Sequence, residues 1–463
     1  MIAQDLQNLL GPKGWLSDLP DLIAHSTDWV GRSDKRPIGI ARPANTEEVS
    51  ATVAACHKAG VAIVPQGGRT GLVMGSFPHR DGSIILSLSR LDRIDPVDPG
   101  NFCVALGAGV ILETLHRKLE GSGVMFPLRL GSAGSAQIGG LIATNAGGNL
   151  AFRYGMMMDQ ILGLEVVLPD GRVWNGMRSL IKDNAGFHLR RLFCGSEGRL
   201  GIVTRAVLRL HTAPRARTTG FFACRSMQDV LRFGANFRLR LGEVVTGLEF
   251  MNDTVLDMAL RNIPELSFPL DKRAGAYLLV ELSSALADLD LSALLEDAFA
   301  AEFEKGTVTA GVIAQNEAQR LDLWRLREEL PEGQKRNGPQ AKHDISVPVS
   351  RVADFIERAG TQARSMQPDV QLCAFGHLGD GNIHYNYSIP GKDASDPVLT
   401  ALSDAVYEKL DEMGGSFAAE HGLGFRKPPI ADKWRAATER DLMRALHACF
   451  DPHDLMNPGV SVR

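Results

Sequence analysis

Pro65-Gln-Gly-Gly-Arg-Thr-Gly-Leu-Val-Met-Gly-Ser76 is the stretch on which the reading of the fold turns. It follows the run Val61 to Val64, which reads as a strand. Its four glycines, Gly67, Gly68, Gly71 and Gly75, let successive backbone N–H groups converge on an anion such as a pyrophosphate. No Gly-Lys-Ser/Thr follows, so it is not a Walker A loop, and it does not fit the G-x-G-x-x-G dinucleotide pattern. Gly107-Ala-Gly109 lacks the third glycine of that pattern and is set aside.

Two more clusters lie downstream. Gly131-Ser-Ala-Gly-Ser-Ala-Gln-Ile-Gly-Gly-Leu-Ile-Ala-Thr-Asn-Ala-Gly-Gly148 packs small residues and hydroxyls densely enough for a ligand to lie against the backbone. The third is Gly195-Ser-Glu-Gly-Arg-Leu-Gly-Ile-Val-Thr204. Any one of these alone reads as a tight turn; three in one domain point to a long, phosphate-bearing cofactor.

Around these loops the chain alternates between helix and strand. Glu47 to Ala59 has helical periodicity and stops at Gly60, a residue suited to a left-handed helix end. Ile84 to Leu88, Phe102 to Leu106 and Ile161 to Leu168 read as short strands, the last ending at the Pro169-Asp170-Gly171 turn. Between Thr212 and Arg217 the text turns basic and proline-containing, which places a domain boundary there. Beyond it, Leu286 to Glu304 and Asn316 to Leu330 read as amphipathic helices, and Gly275 to Leu282 and Val370 to Ile389 as a strand and a hairpin. The fold class is α+β in both halves, without an internal repeat.

Size and composition agree. At 463 residues the chain exceeds the roughly 250–300 at which one core stops growing. The expected division is residues 1–212 and 213–444, with the tail 445–463 returning to the first domain. A net charge of −4 offers no general attraction to nucleic acid or anionic membrane. Six scattered cysteines without C-x-x-C spacing fit a reducing compartment. The start, Met1-Ile-Ala-Gln-Asp-Leu, has neither signal nor transit-peptide character, and no run approaches the ~20 apolar residues of a membrane span. Cytoplasmic residence and no integral membrane segment are the expectations.

The second half carries Gly376-His-Leu-Gly-Asp-Gly-Asn-Ile-His384. Asp380-Gly381 is a favoured two-residue hairpin turn, and counting outward sets His377 opposite His384. Opposed Cβ atoms about 4.5–5.5 Å apart let two imidazoles share a metal, and Asn386 would face the same way. A hydrogen-bonded histidine pair shaping a turn satisfies the same residues. Ala419-Glu-His-Gly-Leu-Gly424 offers Glu420 as a third ligand and His421 as a neighbouring base, although either can instead cap a helix or bind backbone. Arg327, in Trp324-Arg-Leu-Arg327, and Lys342 can together grip a carboxylate, Arg by a two-point fork; surface solvation is the alternative.

The three glycine segments, with Lys182-Asp-Asn-Ala-Gly186 and Arg42-Pro-Ala-Asn-Thr-Glu-Glu-Val49, resemble the FAD-binding domain of the vanillyl-alcohol oxidase (PCMH-type) flavoprotein superfamily. The resemblance implies a two-domain PCMH-type fold whose second domain is an antiparallel sheet with helices. It also implies a pyrophosphate held by Pro65, Gly67, Gly68, Arg69, Thr70, Gly71, Gly75 and Ser76. The flavin would be flanked by Gly131, Ser132, Gly134, Ser135, Gln137, Gly139, Gly140, Ala143, Thr144, Asn145, Gly147 and Gly148, then by Glu197, Gly201 and Ile202, with Asn457 from the tail. No histidine or cysteine lies in the first loop, so the FAD is expected to be non-covalent.

Arg327, Lys342, the string Gly376 to Asn386, and Glu420-His421 resemble the branch that holds D-2-hydroxyglutarate dehydrogenase, D-lactate dehydrogenase and the D subunit of glycolate oxidase. The likeness runs from about Arg36 to Asn457-Pro-Gly459. It implies that His377, His384 and Glu420 bind zinc or another divalent metal, that His421 is the catalytic base, and that Arg327, Lys342 and Asn386 contact a D-2-hydroxy acid. Hydride would pass from C2 to flavin N5. One departure is Pro331, where D-2-hydroxyglutarate dehydrogenases can carry a Thr four residues after the Arg; a hydroxyl contact is lost there. A homodimer passing electrons to an electron-transfer flavoprotein, a quinone or a cytochrome is expected. The competing readings are a non-redox relative of alkyl-glycerone-phosphate synthase and a flavin subunit that only relays electrons within a complex.

Overall fold

The computed structural model describes residues 2–393 and 395–461. The chain divides into two compact units, one made of Met1–Gly148, Tyr154–Thr212 and Glu420–Arg463, the other of Asn149–Arg153 and Ala213–Ala419. The return to the first unit therefore begins at Glu420, not at residue 445. The cause is local: Leu423 and Gly424 donate their backbone N–H groups to the Glu197 carboxylate at 2.9 and 2.8 Å. Asn149–Arg153 also leave the first unit. The Phe152 ring fills the space over Gly379, where a β-carbon would meet it at 2.4 Å.

In the first unit, β1 (Trp15–Leu16), β2 (Gly39–Ala41), β3 (Ile63–Gln66) and β4 (Ile84–Ser87) form one sheet in the order β1-β2-β4-β3. The last three run parallel, and a crossover of the kind parallel strands require is supplied by the helix Thr46–Ala59. That helix starts at Thr46 because Asn45 accepts the Glu48 N–H at 2.8 Å, and it ends on Gly60 at φ 65°. Val49, Val53 and Cys56 are its buried stripe.

Further along come β5 (Cys103–Gly107), β6 (Val124–Met125), β7 (Ile161–Val167), β8 (Val173–Gly176), β9 (Ile202–Arg209) and β10 (His211–Thr212). A second, antiparallel sheet has the order β5-β9-β7-β8, while β6 pairs with β10. β7 is buried at every residue, including its one charged side chain, Glu165, whose carboxylate accepts from the Thr46 and Thr204 hydroxyls.

The second unit is built on seven antiparallel strands: β11 (Ala216–Cys224), β12 (Val245–Asn252), β13 (Ala276–Ser284), β14 (Val308–Ile313), β15 (Gln340–Ser346), β16 (Gln371–His377) and β17 (Asn382–Ser388). Their order is β14-β11-β13-β12-β16-β17-β15. Val255, Leu256, Leu323, Trp324 and Leu330 from the helices pack on one face against Phe221, Met251, Tyr277, Leu279, Cys373 and Phe375.

Two helices are shorter than their periodicity predicts. The first starts at Leu291 because Asp290 caps it, and the second spans Glu317–Glu328 because Asn316 caps its start. Pro331 cannot donate to a continuing helix, so a separate segment, Leu330–Arg336, follows with the proline in its first turn. Among the described residues no helix is long and apolar enough to cross a membrane.

Candidate functional site

The glycine clusters of the first unit meet. Gly68 lies against Ser135, and Gly67 has the Gln137 side chain 3.6 Å from where its β-carbon would be. Gln66 closes the first loop by donating to the carbonyls of Ser76 and His25, both at 2.7 Å, and Arg69 donates to the Ala24 carbonyl. Ser76 bonds Asp28 at 3.4 Å. In the second cluster Ser132 accepts from the Ser135 and Ala136 N–H groups. Gly139 and Gly140 sit in the short helix Ile138–Ala143. The Thr144 hydroxyl bonds the Gly140 carbonyl at 3.0 Å, and the Asn145 side-chain oxygen Oδ1 accepts the Met158 N–H at 2.9 Å.

The third cluster ties these parts together. Glu197 donates its N–H to the Ala143 carbonyl at 2.8 Å. The Asn457 amide donates to the carbonyls of Gly75 and Glu197 at 3.1 and 2.8 Å. Gly201 packs on Val166, and the Ile202 side chain belongs to the core. The Glu197 carboxylate is buried, and desolvation raises its pKa against the two N–H bonds from Leu423 and Gly424 that lower it. Gly424, at φ 51°, approaches the Val73 carbonyl so closely that a β-carbon would stand 2.1 Å away. The segment carrying Glu420 and His421 is thus bound to the glycine loops of its own unit. The Gly148 N–H lies 3.4 Å from Glu420 Oε1.

In the second unit the hairpin differs from the two-residue turn that Asp380-Gly381 predicts. Phe375 faces His384, so His377 is not opposite His384 but two residues along on the same side. The loop is four residues, Leu378 to Gly381, closed by the Gly381 N–H on the His377 carbonyl at 3.1 Å. Leu378 is buried at 2% exposure against Gly234, and Arg238 donates to the Gly379 carbonyl, which pulls the loop open beyond a minimal turn. A shift of two preserves the face, because side chains alternate with period two. The imidazoles remain neighbours, with centroids 6.0 Å apart and planes at 75°.

Arg327 is 7% exposed, and its guanidinium lies 5.1 Å over the Phe375 ring. Its Nε donates to Glu249 Oε2 at 2.9 Å, its Nη2 lies 2.8 Å from the same oxygen in the ion pair, and Glu249 Oε1 lies 2.7 Å from His377 Nδ1. Lys342 stands opposite Asn386 in the β15–β17 ladder. Its pKa is lowered by desolvation first and by the charge of Lys335 second. Asn386 is engaged by the protein: its oxygen accepts the His343 N–H at 3.0 Å and its amide donates to Gln334 at 2.9 Å. A substrate contact would use the second amide N–H.

Glu249 was not singled out from the sequence, although a lone carboxylate inside the apolar strand Val245-Thr-Gly-Leu-Glu-Phe-Met251 was a signal. Asp344, opposite His384 and bonded by Asn382 at 3.0 Å, also went unmarked.

A family model described as FAD linked oxidases, C-terminal domain, matches residues 213–460, more than half of the chain, and one described as FAD binding domain matches residues 37–176. A probable mitochondrial D-2-hydroxyglutarate dehydrogenase of Oryza sativa subsp. indica is 35% identical over 453 residues, spanning 98% of this chain and 80% of the relative. The chain belongs to the FAD-linked oxidase family. A putative mitochondrial D-lactate dehydrogenase of Schizosaccharomyces pombe is 34% identical over 477 residues, covering 98% of this chain and 89% of the relative. The solved structure of p-cresol methylhydroxylase with substrate bound superposes with a TM-score of 0.74 at 16% identity, covering 99% and 95% of the two chains, which establishes the shared PCMH-type fold.

As a member of this family the chain is an FAD-binding oxidoreductase. Its residues fit the cofactor on physical grounds as well. Among the described residues, Gln137 Oε1 is buried beside Gly67 with no hydrogen-bond partner, and the space where side chains would begin at Gly71 and Gly140 is open. A ligand carrying a donor for Gln137 and lying on bare backbone satisfies both.

Proposed function

We propose that this chain oxidises a D-2-hydroxy acid of the D-2-hydroxyglutarate, D-lactate or D-malate type to the 2-oxo acid. FAD is held non-covalently by the residues of the three glycine clusters and Asn457. His377, His384 and Glu420 hold a divalent metal, zinc first. The observation that carries the reading is that His377, whose imidazole neighbours that of His384, is joined to the buried guanidinium of Arg327 through one carboxylate, Glu249. The names of relatives 35% and 34% identical over nearly the whole chain support the substrate class.

Bound FAD supplies a two-electron acceptor, and a bound divalent cation supplies Lewis acidity at the 2-hydroxyl oxygen. The chain does the rest. Arg327 and Lys342 bind and orient the carboxylate, Arg327 through N–H groups other than the two on Glu249. His421 takes the 2-hydroxyl proton while the C2 hydrogen leaves with its electron pair, so that the C2–O bond becomes a carbonyl. With Pro331 inside a helix turn, no hydroxyl is offered from that position, and the far end of the substrate is chosen elsewhere.

Electrons leave the flavin for an electron-transfer flavoprotein, a quinone or a cytochrome. Cytoplasmic residence and a homodimer complete the proposal. Anaerobic addition of a panel of D- and L-2-hydroxy acids, followed by flavin absorbance, tests it. Bleaching by a D-hydroxy acid alone is the expected result; no bleaching by any of them returns the chain to a synthase-like, non-redox reading, and loss of activity with an artificial acceptor to a relay subunit.

A further inference from the structure

Two buried carboxylates face the same helix from the sheet of the second unit. Glu281, on β13, accepts from Trp324 Nε1 at 2.8 Å and from Arg320 at 3.0 Å, which anchors the helix Glu317–Glu328 and touches no candidate site residue. Glu249, on β12, is 1% exposed and stands directly opposite His377 in the β12–β16 ladder. It divides its two oxygens, one to His377 and one to Arg327.

We propose that Glu249 is a positioning residue that sets the metal-binding face of His377 and the substrate-binding edge of Arg327 together. The inference rests on the functional reading above. A carboxylate offers only acceptors, so the ring nitrogen facing it, Nδ1, must carry the proton, and Nε2 then presents its lone pair as the ligand atom. The other oxygen accepts from Nε and lies 2.8 Å from Nη2, which with the Phe375 ring fixes the guanidinium plane.

An amide cannot serve both partners. In Glu249→Gln the single carbonyl oxygen faces either His377 or Arg327. If it faces Arg327, the NH2 group meets Nδ1 and forces the proton onto Nε2, which removes the metal lone pair. If it faces His377, the NH2 group meets the guanidinium, donor against donor, and the Arg327 plane is released. Either the metal or the substrate is lost, and the choice is a property of side-chain chemistry, not of packing volume.

The test compares full-length, FAD-loaded wild type, Glu249→Gln and Glu281→Gln. Zinc affinity is measured by competition with a chromophoric chelator, and KM and kcat are measured with D-2-hydroxyglutarate or D-lactate, whichever reduces the flavin. Glu249→Gln is expected to lose about tenfold or more in zinc affinity, or to raise KM by a similar factor, with Glu281→Gln close to wild type in both. If the Gln variant does not fold, Glu249→Asp is read the same way, since it keeps the charge but is one methylene too short to span both partners. Zinc bound by wild type and undiminished in the Glu249 variant, with KM unchanged, overturns the positioning role alone. Equal losses in Glu281→Gln overturn it too, as general destabilisation. A wild type that binds no zinc, or a His384→Ala chain that binds it as well as wild type, overturns the functional reading and the coupling with it.

Discussion

Gly68 sits against Ser135 so closely that a β-carbon built on it would stand 1.9 Å from the serine's carbonyl oxygen. Two glycine-rich loops 67 residues apart in sequence are thereby in backbone contact, and their separation leaves no room for a methyl group. Gly71, in the same loop, has nothing within 4 Å of that position among the described residues. Gly68→Ala is therefore expected to force the loops apart, with a stability loss at or above the roughly 1–3 kcal/mol of overpacking and loss of flavin during purification. Gly71→Ala should melt like wild type yet bind FAD more weakly, because the methyl group enters the open space proposed for the cofactor. Calorimetry and flavin titration of the apoprotein check both; a Gly71→Ala chain with undiminished FAD affinity would remove that residue from the cradle.

Glu197 holds the segment bearing Glu420 and His421 through two N–H bonds to one buried carboxylate. Its replacement by Ala leaves both N–H groups without that acceptor. The expected cost is about 1–3 kcal/mol, with faster hydrogen exchange at the Leu423 and Gly424 amides and slower flavin reduction. Unaltered exchange at those two amides would show that the segment is held by other means.

His421→Ala should keep its flavin and its fold but reduce the flavin on the order of 100-fold more slowly at saturating hydroxy acid, the lower end of what a positioned base contributes. Stopped-flow absorbance under anaerobic conditions reads this directly. A rate equal to wild type would exclude His421 as the proton acceptor.

Removal of the divalent ion should separate two functions. Chelator-treated protein is expected to retain the flavin spectrum, since the glycine clusters proposed to hold FAD include none of the proposed metal ligands, yet to fail in bleaching with substrate until zinc is restored. Glu420→Gln should bind less zinc than wild type by elemental analysis. Full substrate reduction in metal-free protein would contradict the assignment of His377, His384 and Glu420.

Acid precipitation should release the yellow chromophore into the supernatant. The loop Pro65 to Ser76 contains no histidine or cysteine able to form a bond to the flavin. Chromophore that stays with the pellet would show a covalent attachment elsewhere in the chain.

Much of this was legible in the primary structure because it depends on local chemistry. Clustered glycines mark where backbone must come close to something. Asn45 and Gly60 bound a helix through cap geometry alone, and the helical and strand periods of the second half survive, with the helix ends moved by Asp290, Asn316 and Pro331 and the strand ends by one or two residues. His377, His384 and Asn386 were read onto one face from the alternation of a strand, and they remain there although the turn is two residues longer.

What the linear order of residues could not decide is which distant groups meet. The hairpin register depends on burying Leu378 and on the Phe152 ring over Gly379, contacts more than a hundred residues apart that no turn rule contains. Glu249 acquires its role only when β12 lies beside β16 and a helix nearly eighty residues further on brings Arg327 to its second oxygen. Side-chain type and spacing set the chemistry each segment can perform; burial in the folded chain, which makes an unshared carboxylate costly, selects the partners with which it performs it.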